Sequence, residues 1–448
     1  MLIQSEPGTL EKLEKLSGMA TDDVLARPQD TKSYAAVRAP YSRPEKNPAP
    51  GVYKASMPNG KTINLFRTMF TDFCKMDCHF CPNSHWVPRK RFSFKVDELA
   101  RTFHEMEQRH MVAGMFLSSG VAGSGSKTTE KLIKVVDLIR NKYKFNGYIH
   151  LKVMPGTEYQ YVEEAHRLGT RLSVNLETPT IAGMKKLSKM KDLERDMLSQ
   201  MNWMDGLLKQ RSPNWAVGQA TQLVVGAADE SDWDIYERIV QLYGQWNFKR
   251  VYYNPFMPIR YTPLEDHEPT PMWRTNRLYQ VDWLKRIYGF ADDEIKLAHD
   301  PAGFLPLEDD PKTAIALANV DKFPINLNEA SKADLLRIPG IGPTSAERII
   351  MQRQRHAIDT WRDLQAMGVV RKRASPFVAF SSNVPMMAKQ LKLDFFKERP
   401  TVSNAPLKMA GPIPLTAAPC GQERSCGGCP LYGAPGHPGS QEVAAKAA

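Results

Sequence analysis

Lys61-Thr-Ile-Asn-Leu-Phe66-Arg-Thr-Met-Phe-Thr-Asp-Phe-Cys74-Lys-Met-Asp-Cys78-His-Phe-Cys81 joins a short apolar run to three closely spaced cysteines. Upstream, Gly51-Val-Tyr-Lys-Ala-Ser56 and the run from Lys61 flank Pro58-Asn59-Gly60, and Asn-Gly between two such runs is a strong hairpin signal. The spacing C-x3-C-x2-C lets one loop wrap three thiolates around a metal centre. An iron–sulfur cube normally takes four protein ligands, so three leave one iron open, as a catalytic centre requires. A zinc knuckle completed by His79 or His85 is the alternative, although structural zinc prefers C-x2-C pairs with a regularly spaced fourth ligand.

Outward from this loop, short apolar runs alternate with helical patterns. Strands are expected at 63–66, 114–117, 148–153, 171–176, 221–225 and 250–254, with helices at 96–107, 129–143, 159–168, 181–208, 233–246 and 273–288. Strict β-α alternation implies right-handed crossovers and a parallel sheet. Six such units fit an incomplete barrel or a doubly wound sheet, and periodicity does not choose between them.

With Phe80 between Cys78 and Cys81, the cysteine segment resembles the C-x3-C-x-aromatic-C motif of the radical S-adenosylmethionine (SAM) superfamily. The resemblance runs from Ile63 to near Tyr288 and implies an α/β fold with a partial (β/α)6 barrel, in agreement with the alternation. It further implies a [4Fe–4S] cluster held by Cys74, Cys78 and Cys81, with the methionyl amine and carboxylate of SAM on the open iron. Reductive cleavage to a 5'-deoxyadenosyl radical would draw on a low-potential donor such as flavodoxin or ferredoxin.

Other SAM contacts follow the same resemblance. Ser118-Ser119-Gly120 stands where the superfamily has a Gly-Gly-Glu-like segment; it lacks the acid but keeps small residues that allow close backbone approach, the alternative being a Gly-rich turn continuing through Gly123-Ser-Gly125. Asn175-Leu-Glu177-Thr-Pro ends the fourth strand, where α/β barrels place their sites. Glu177 is a candidate contact to the SAM ribose or methionyl ammonium, against a surface carboxylate at a helix start. Gln222-Leu-Val-Val-Gly226-Ala-Ala-Asp229 partly matches the adenine-side pattern G-x-I-x-G-x-x-E, keeping Gly226 and putting Asp229 in the place of Glu. Tyr252-Tyr-Asn254-Pro-Phe256 reads as core aromatics at a strand end. Arg67 and Lys152 sit near strand ends with no assigned role.

The chain changes character near Lys322. From there to Arg399 it holds 14 Lys/Arg against 7 Asp/Glu, so this short stretch carries +7 of a total net charge of +11. Asn326 to Ile350 reads as two short helices around Pro339-Gly340-Ile341-Gly342, with Ser331/Asp334 and Thr344/Glu347 as candidate capping pairs. The glycines leave backbone N–H groups open at the second helix's N-terminus, a nest for a phosphate oxygen. The stretch resembles the helix-hairpin-helix motif of DNA repair and uptake proteins, which implies DNA contacts through Gly340, Ile341, Gly342, Thr344 and Arg348, with Arg353 and Arg355 following. Trp361 to Arg373 looks like a degenerate partner hairpin. A hairpin that merely packs or binds protein is the alternative.

Cys420-Gly-Gln-Glu-Arg-Ser-Cys426-Gly-Gly-Cys429-Pro is a second candidate metal site, for an auxiliary iron–sulfur cluster or for zinc with His437. Boundaries are expected at 1–50 (N-terminal extension, with an amphipathic Leu10-Glu-Lys-Leu-Glu-Lys-Leu16), 51–290 (barrel), 291–321 (linker), 322–399 (helix-hairpin-helix module) and 400–448 (Cys-containing tail).

A content of 42% hydrophobic residues over 448 residues excludes a disordered or collagen-like polymer. Six cysteines are too few for a disulfide-stapled secreted scaffold. No apolar stretch approaches the roughly 20 residues of a membrane helix, and the opening residues lack a signal-peptide pattern, so a cytoplasmic protein is expected. The basic balance favours an anionic partner, nucleic acid first. Together the parts resemble a bacterial family of DNA modification or repair radical SAM proteins associated with a uracil-DNA glycosylase-like partner. The expectation is an enzyme acting on a DNA base or nucleotide. An RNA- or tRNA-modifying enzyme and a non-catalytic iron–sulfur scaffold that recruits a glycosylase are the alternatives.

Overall fold

The computed structural model describes residues 7–22, 49–56, 62–210, 218–246 and 248–380. The Pro58-Asn59-Gly60 turn and the cysteines Cys420, Cys426 and Cys429 lie outside the described residues.

One sheet of seven strands organises the larger part, in the order β1 (Val52–Ser56), β2 (Thr62–Met69), β3 (Gly114–Ser118), β4 (Tyr148–Lys152), β5 (Arg171–Ser173), β6 (Gly218–Val225) and β7 (Arg250–Pro255). β1 pairs antiparallel with β2, and every later pair is parallel. Spatial order equals sequence order, so each crossover returns on the same side and the sheet curls into an open half-barrel.

Helices cover the convex face. α1 (Thr9–Asp22) precedes the sheet, and α2 (Val96–Gln108), α3 (Gly125–Asp137) and α4 (Tyr159–Leu168) fill the first crossovers. α5 (Ile181–Leu187) and α6 (Ser199–Lys209) share the next, and α7 (Asp232–Trp246) and α8 (Met272–Arg286) flank β7. In α2 the buried residues Leu99, Ala100, Phe103 and Met106 recur at helical spacing and meet a wall of alternate strand residues, Phe66, Met115, Ile149 and Leu172 among them. The other set of alternate residues faces the concave side. α1 buries Leu13, Leu16 and Ala20 in the same core, which accounts for its amphipathic pattern.

The helix expected over 181–208 is interrupted. α5 stops at Leu187 because Asp77, from the cysteine loop, captures the Ser188 hydroxyl and the Lys189 N–H (2.8 Å). The chain re-enters helix through a π-helical turn, Leu193–Leu198, capped by Asp192, which accepts the Arg195 N–H at 2.8 Å. A tertiary hydrogen bond thus overrides a continuous helical pattern. β5 is also shorter than its apolar run, since the chain departs toward Glu177 after Ser173.

The span 291–321 carries α9 (Asp292–Lys296) and α10 (Pro311–Ala318), and it buries Ile295, Leu305 and Ile315 in the barrel's own core. Beyond it, α11 (Lys332–Arg337), α12 (Pro343–Arg353), α13 (Trp361–Ala366) and α14 (Arg371–Ala374) form two consecutive helical hairpins. A short parallel pair, β8 (Ile325–Asn326) with β9 (Val378–Ala379), closes them. They enclose a separate core that includes Leu327, Leu335, Ile338, Ile341, Ile349 and Leu364.

Candidate active site and nucleic-acid interface

At the C-terminal end of the strands, Cys74, Cys78 and Cys81 line one pocket together with Phe80, Ser118, Ser119, Gly120, Lys152, Asn175, Glu177, Lys191 and Asn254. The cysteine loop is held from two sides. On one, the Gly120 N–H donates to the Thr71 carbonyl (2.7 Å), the Lys75 N–H to the Val121 carbonyl (2.9 Å), and the Val121 N–H to Cys74 Sγ (3.4 Å). A Cβ on Gly120 would come within 2.5 Å of the Phe73 carbonyl oxygen, so glycine alone permits this approach. On the other side, His79 N–H donates to the Leu187 carbonyl (2.9 Å), beside the capture of the 188–190 turn by Asp77. Burial would raise the Asp77 pKa, but the Ser188 hydroxyl and the Lys189 and Met190 N–H groups outweigh it and lower it. The acid inside the x3 spacer therefore staples the loop in its ionised form.

Glu177 is buried and adopts φ 66°, an uncommon conformation for a side chain of its size. Its backbone is fixed between two bonds to β6: its N–H donates to the Gln222 carbonyl (2.9 Å) and its carbonyl accepts the Val224 N–H (2.7 Å). Lys191 Nζ lies 3.3 Å from Glu177 Oε1 and 5.9 Å from the centre of the Phe80 ring. Burial alone would lower the Lys191 pKa, but Cys78, Glu177 and Cys81 reverse it and hold the ammonium protonated. Burial pushes the Cys78 thiol up to about 11. A thiolate ligand there needs the adjacent cation and a metal to form. A buried lysine beside Cys78 and Cys81 fits an anionic cluster.

Among the described residues no group of three His, Cys, Asp or Glu side chains gathers at the spacing of a single metal ion. An iron–sulfur cube spreads its thiolates over separate irons.

The adenine-side expectation is corrected in part. Gly226 adopts φ +86°, and a Cβ there would meet Thr270 Oγ1 at 2.1 Å, yet Gly226 is not among the pocket-lining residues. Asp229 does not occupy the acid position; it is exposed and pairs with Lys186 (3.1 Å) and His267 (3.1 Å). The buried acid is Glu230, which accepts the Gly226 N–H and, at 3.1 Å, the Ala228 N–H. Glu230 thus closes the turn after Gly226 on itself, while Asp229 faces outward. Tyr253 packs outward against Tyr279, as core, while its neighbour Asn254 lines the pocket. Sequence reasoning missed Lys191, which lay inside the continuous helical pattern expected over 181–208, and Met19 of α1, which reaches the pocket wall.

In the C-terminal hairpins, Ser331 caps α11 as expected, accepting the Asp334 N–H at 3.1 Å while Asp334 accepts the Ser331 N–H at 3.2 Å. Thr344 and Glu347 form no such pair. α12 starts on Gly342 with Pro343 at its first position, and Glu347 instead bonds Lys332 (2.8 Å). Gly340 has φ +83°, and a Cβ there would meet the Val370 carbonyl at 2.7 Å, so the first hairpin packs on the second. Ile341 is buried and its carbonyl is taken by Lys312 Nζ (2.6 Å), which leaves the α12 N-terminus and exposed Thr344 and Arg348 as the open face. Arg353 is half-buried, and its Nη1 donates to the Leu327 (2.8 Å) and Ala330 (2.7 Å) carbonyls, which makes it a brace of the module. Arg371 and Lys372, on the second hairpin, are exposed.

A family model described as the Radical SAM superfamily matches residues 68–199, and one described as a helix-hairpin-helix motif matches 320–372. No curated protein matches the chain. Among solved structures it is similar to HydG, a maturase of the [FeFe]-hydrogenase (10% identity over 48% of this chain and 48% of that one, TM-score 0.38). It is similar also to methylornithine synthase, PylB (16%, 47% and 58%, 0.37), and to coproporphyrinogen III oxidase, HemN, from Escherichia coli (14%, 55% and 56%, 0.33). The chain thus spans about half the length of these structures. No helix among the described residues is long and apolar enough to cross a membrane. The loop that carries the three pocket cysteines falls inside the first match, and the chain therefore carries a Radical SAM superfamily domain followed by a helix-hairpin-helix motif, an enzyme whose specific reaction the matches leave open.

Proposed function

We propose that the chain modifies or repairs a base or nucleotide of DNA by radical chemistry in the half-barrel pocket, with the hairpins holding the nucleic acid. The observation that carries this reading is the joining of a three-thiol pocket and a basic helix-hairpin-helix in one chain. Cys74, Cys78 and Cys81 would hold a [4Fe–4S] cluster. Bound with SAM, it would supply a 5'-deoxyadenosyl radical that abstracts hydrogen from carbon.

The chain's own residues do the rest. Ser118, Ser119 and Gly120 offer backbone groups to the methionyl end, Glu177 a carboxylate to the ribose or ammonium, and Phe80 an apolar wall. The α12 N-terminus and Arg348 engage phosphate without reading sequence. A stacked base cannot enter the pocket, so the target is flipped or already unpaired. Cys420, Cys426 and Cys429 are assigned to a second iron–sulfur cluster or to zinc. A uracil-DNA glycosylase-like protein and a flavodoxin or ferredoxin are the proposed partners.

The test is anaerobic. Reconstituted, reduced protein is given SAM, and 5'-deoxyadenosine is quantified alone, with duplex DNA, with single-stranded DNA and with tRNA. DNA-stimulated cleavage is expected. Stimulation by tRNA alone would move the substrate to RNA, and no cleavage from a reducible cluster would leave a binding scaffold.

A further inference from the structure

The concave face of the sheet carries a row set by strand register: Arg67 opposite Phe116, Phe116 opposite His150, and His150 opposite Arg171. One step nearer the pocket, Lys152 stands opposite Ser173. Paired residues in a parallel sheet share a face, so Arg67, His150, Lys152 and Arg171 all belong to the concave wall. The six parallel strands contain no Asp or Glu.

Lys152 lines the pocket itself. Arg67 is buried between the rings of Tyr53 (5.0 Å) and Phe116 (5.3 Å). Arg171 is half-buried, and its Nε is buried without a hydrogen-bond partner among the described residues. A buried donor left open on a charged group is costly and calls for a partner. His150 bonds Ser173 Oγ through Nε2 (2.8 Å); burial, then Arg171, Lys152 and Arg67, hold its pKa well below the ordinary value. The imidazole is thus kept neutral by burial and by the cations around it.

We propose that this wall is an anion subsite, in which Lys152, Arg171 and Arg67 receive a phosphate group of the substrate inside the half-barrel. The proposal rests on the reading of the half-barrel as the reaction chamber, but not on the hairpins or on DNA. The phosphate belongs either to a nucleotide within a strand or to a free nucleotide.

The test is anaerobic calorimetry on the full, cluster-loaded chain with thymidine, thymidine 5'-monophosphate, inorganic phosphate and a short oligothymidylate. The monophosphate is expected to bind and thymidine to bind at least about tenfold more weakly, the scale of one charged hydrogen bond. Arg171→Gln should lose that preference and Arg171→Lys retain most of it, with far-ultraviolet circular dichroism unchanged. Lys152→Met gives a second, independent loss. Tighter oligomer binding with the same Arg171 dependence assigns the phosphate to a strand, and equal or weaker binding to a free nucleotide. Equal affinity for thymidine and its monophosphate, or full binding by both variants, overturns the subsite. SAM cleavage by the unmodified chain is scored separately: phosphate binding without cleavage leaves the subsite standing and fails the proposed activity.

Discussion

Lys191 Nζ stands 3.3 Å from Glu177 Oε1, with the two side chains only 6% and 7% exposed. Removing one member of such a pair strands a buried charge, which costs about 3–5 kcal/mol, whereas removing both is much milder. Lys191→Met should therefore destabilise the metal-free protein by about that amount, and Lys191→Met combined with Glu177→Gln should recover most of the loss. Urea unfolding of the two single variants and the double variant measures it. Additive losses would mean that the two side chains are not coupled.

Cys81→Ala is expected to abolish SAM cleavage while leaving DNA affinity intact, because the pocket and the hairpins have separate apolar cores. Paired assays of 5'-deoxyadenosine release and DNA binding check this. Loss of both would assign Cys81 a role in folding and remove the modular reading.

Gly120→Ala probes the same loop without touching a thiol. Its Cβ would meet the Phe73 carbonyl at 2.5 Å, and backbone cannot move aside as a side chain can. Overpacking of this kind costs about 1–3 kcal/mol. Iron content after reconstitution should fall, with a lowered thermal midpoint. Normal iron loading and an unchanged midpoint would show that the cysteine loop is free to shift.

The strand order was legible because each apolar run is bounded by turns and followed by a helical period, and the three thiols were legible because a short loop must carry them. What sequence did not disclose are contacts made across distance. Asp77 cuts a continuous helical pattern at Ser188, and that cut delivers Lys191 to the pocket. Glu230, not Asp229, is the buried acid because its carboxylate turns back onto the Gly226 and Ala228 N–H groups, a contact that a pattern of letters does not show. Nor does the sequence show that Arg353 reaches back to brace the Leu327 and Ala330 carbonyls. The concave row of cations was equally hidden, since register brings Arg67 and Arg171 into line from strands far apart in the chain.

The exposed hairpin face makes a graded prediction. Arg348→Ala and Lys372→Ala should each weaken DNA binding and lower the slope of log affinity against log salt by about one for each phosphate no longer neutralised, regardless of sequence. Arg353→Ala should instead lower stability, since it opens two backbone carbonyls inside the module. An Arg348 variant with unchanged affinity and slope across a salt titration would reject this face as the DNA anchor.

Lys312 links the barrel side of the chain to the hairpin and sets a pH dependence. Its ammonium is buried against the Tyr288 ring and donates to the Ile341 carbonyl at 2.6 Å. Burial, with Arg373 adding to it, lowers its pKa from 10.5 to about 7. Between those values the unfolded chain holds a proton that the folded chain has released, so folding stability must rise with pH across this window. Below pH 7 both states are protonated and the cost of burying the charge is fully present. Lys312→Met lacks the group and should show no such rise of its own. The stability of the wild type relative to the variant, followed by urea unfolding from about pH 7 to 9, should therefore climb. A difference that stays flat over that range would mean that Lys312 keeps its ordinary pKa, with water reaching it beneath the hairpin.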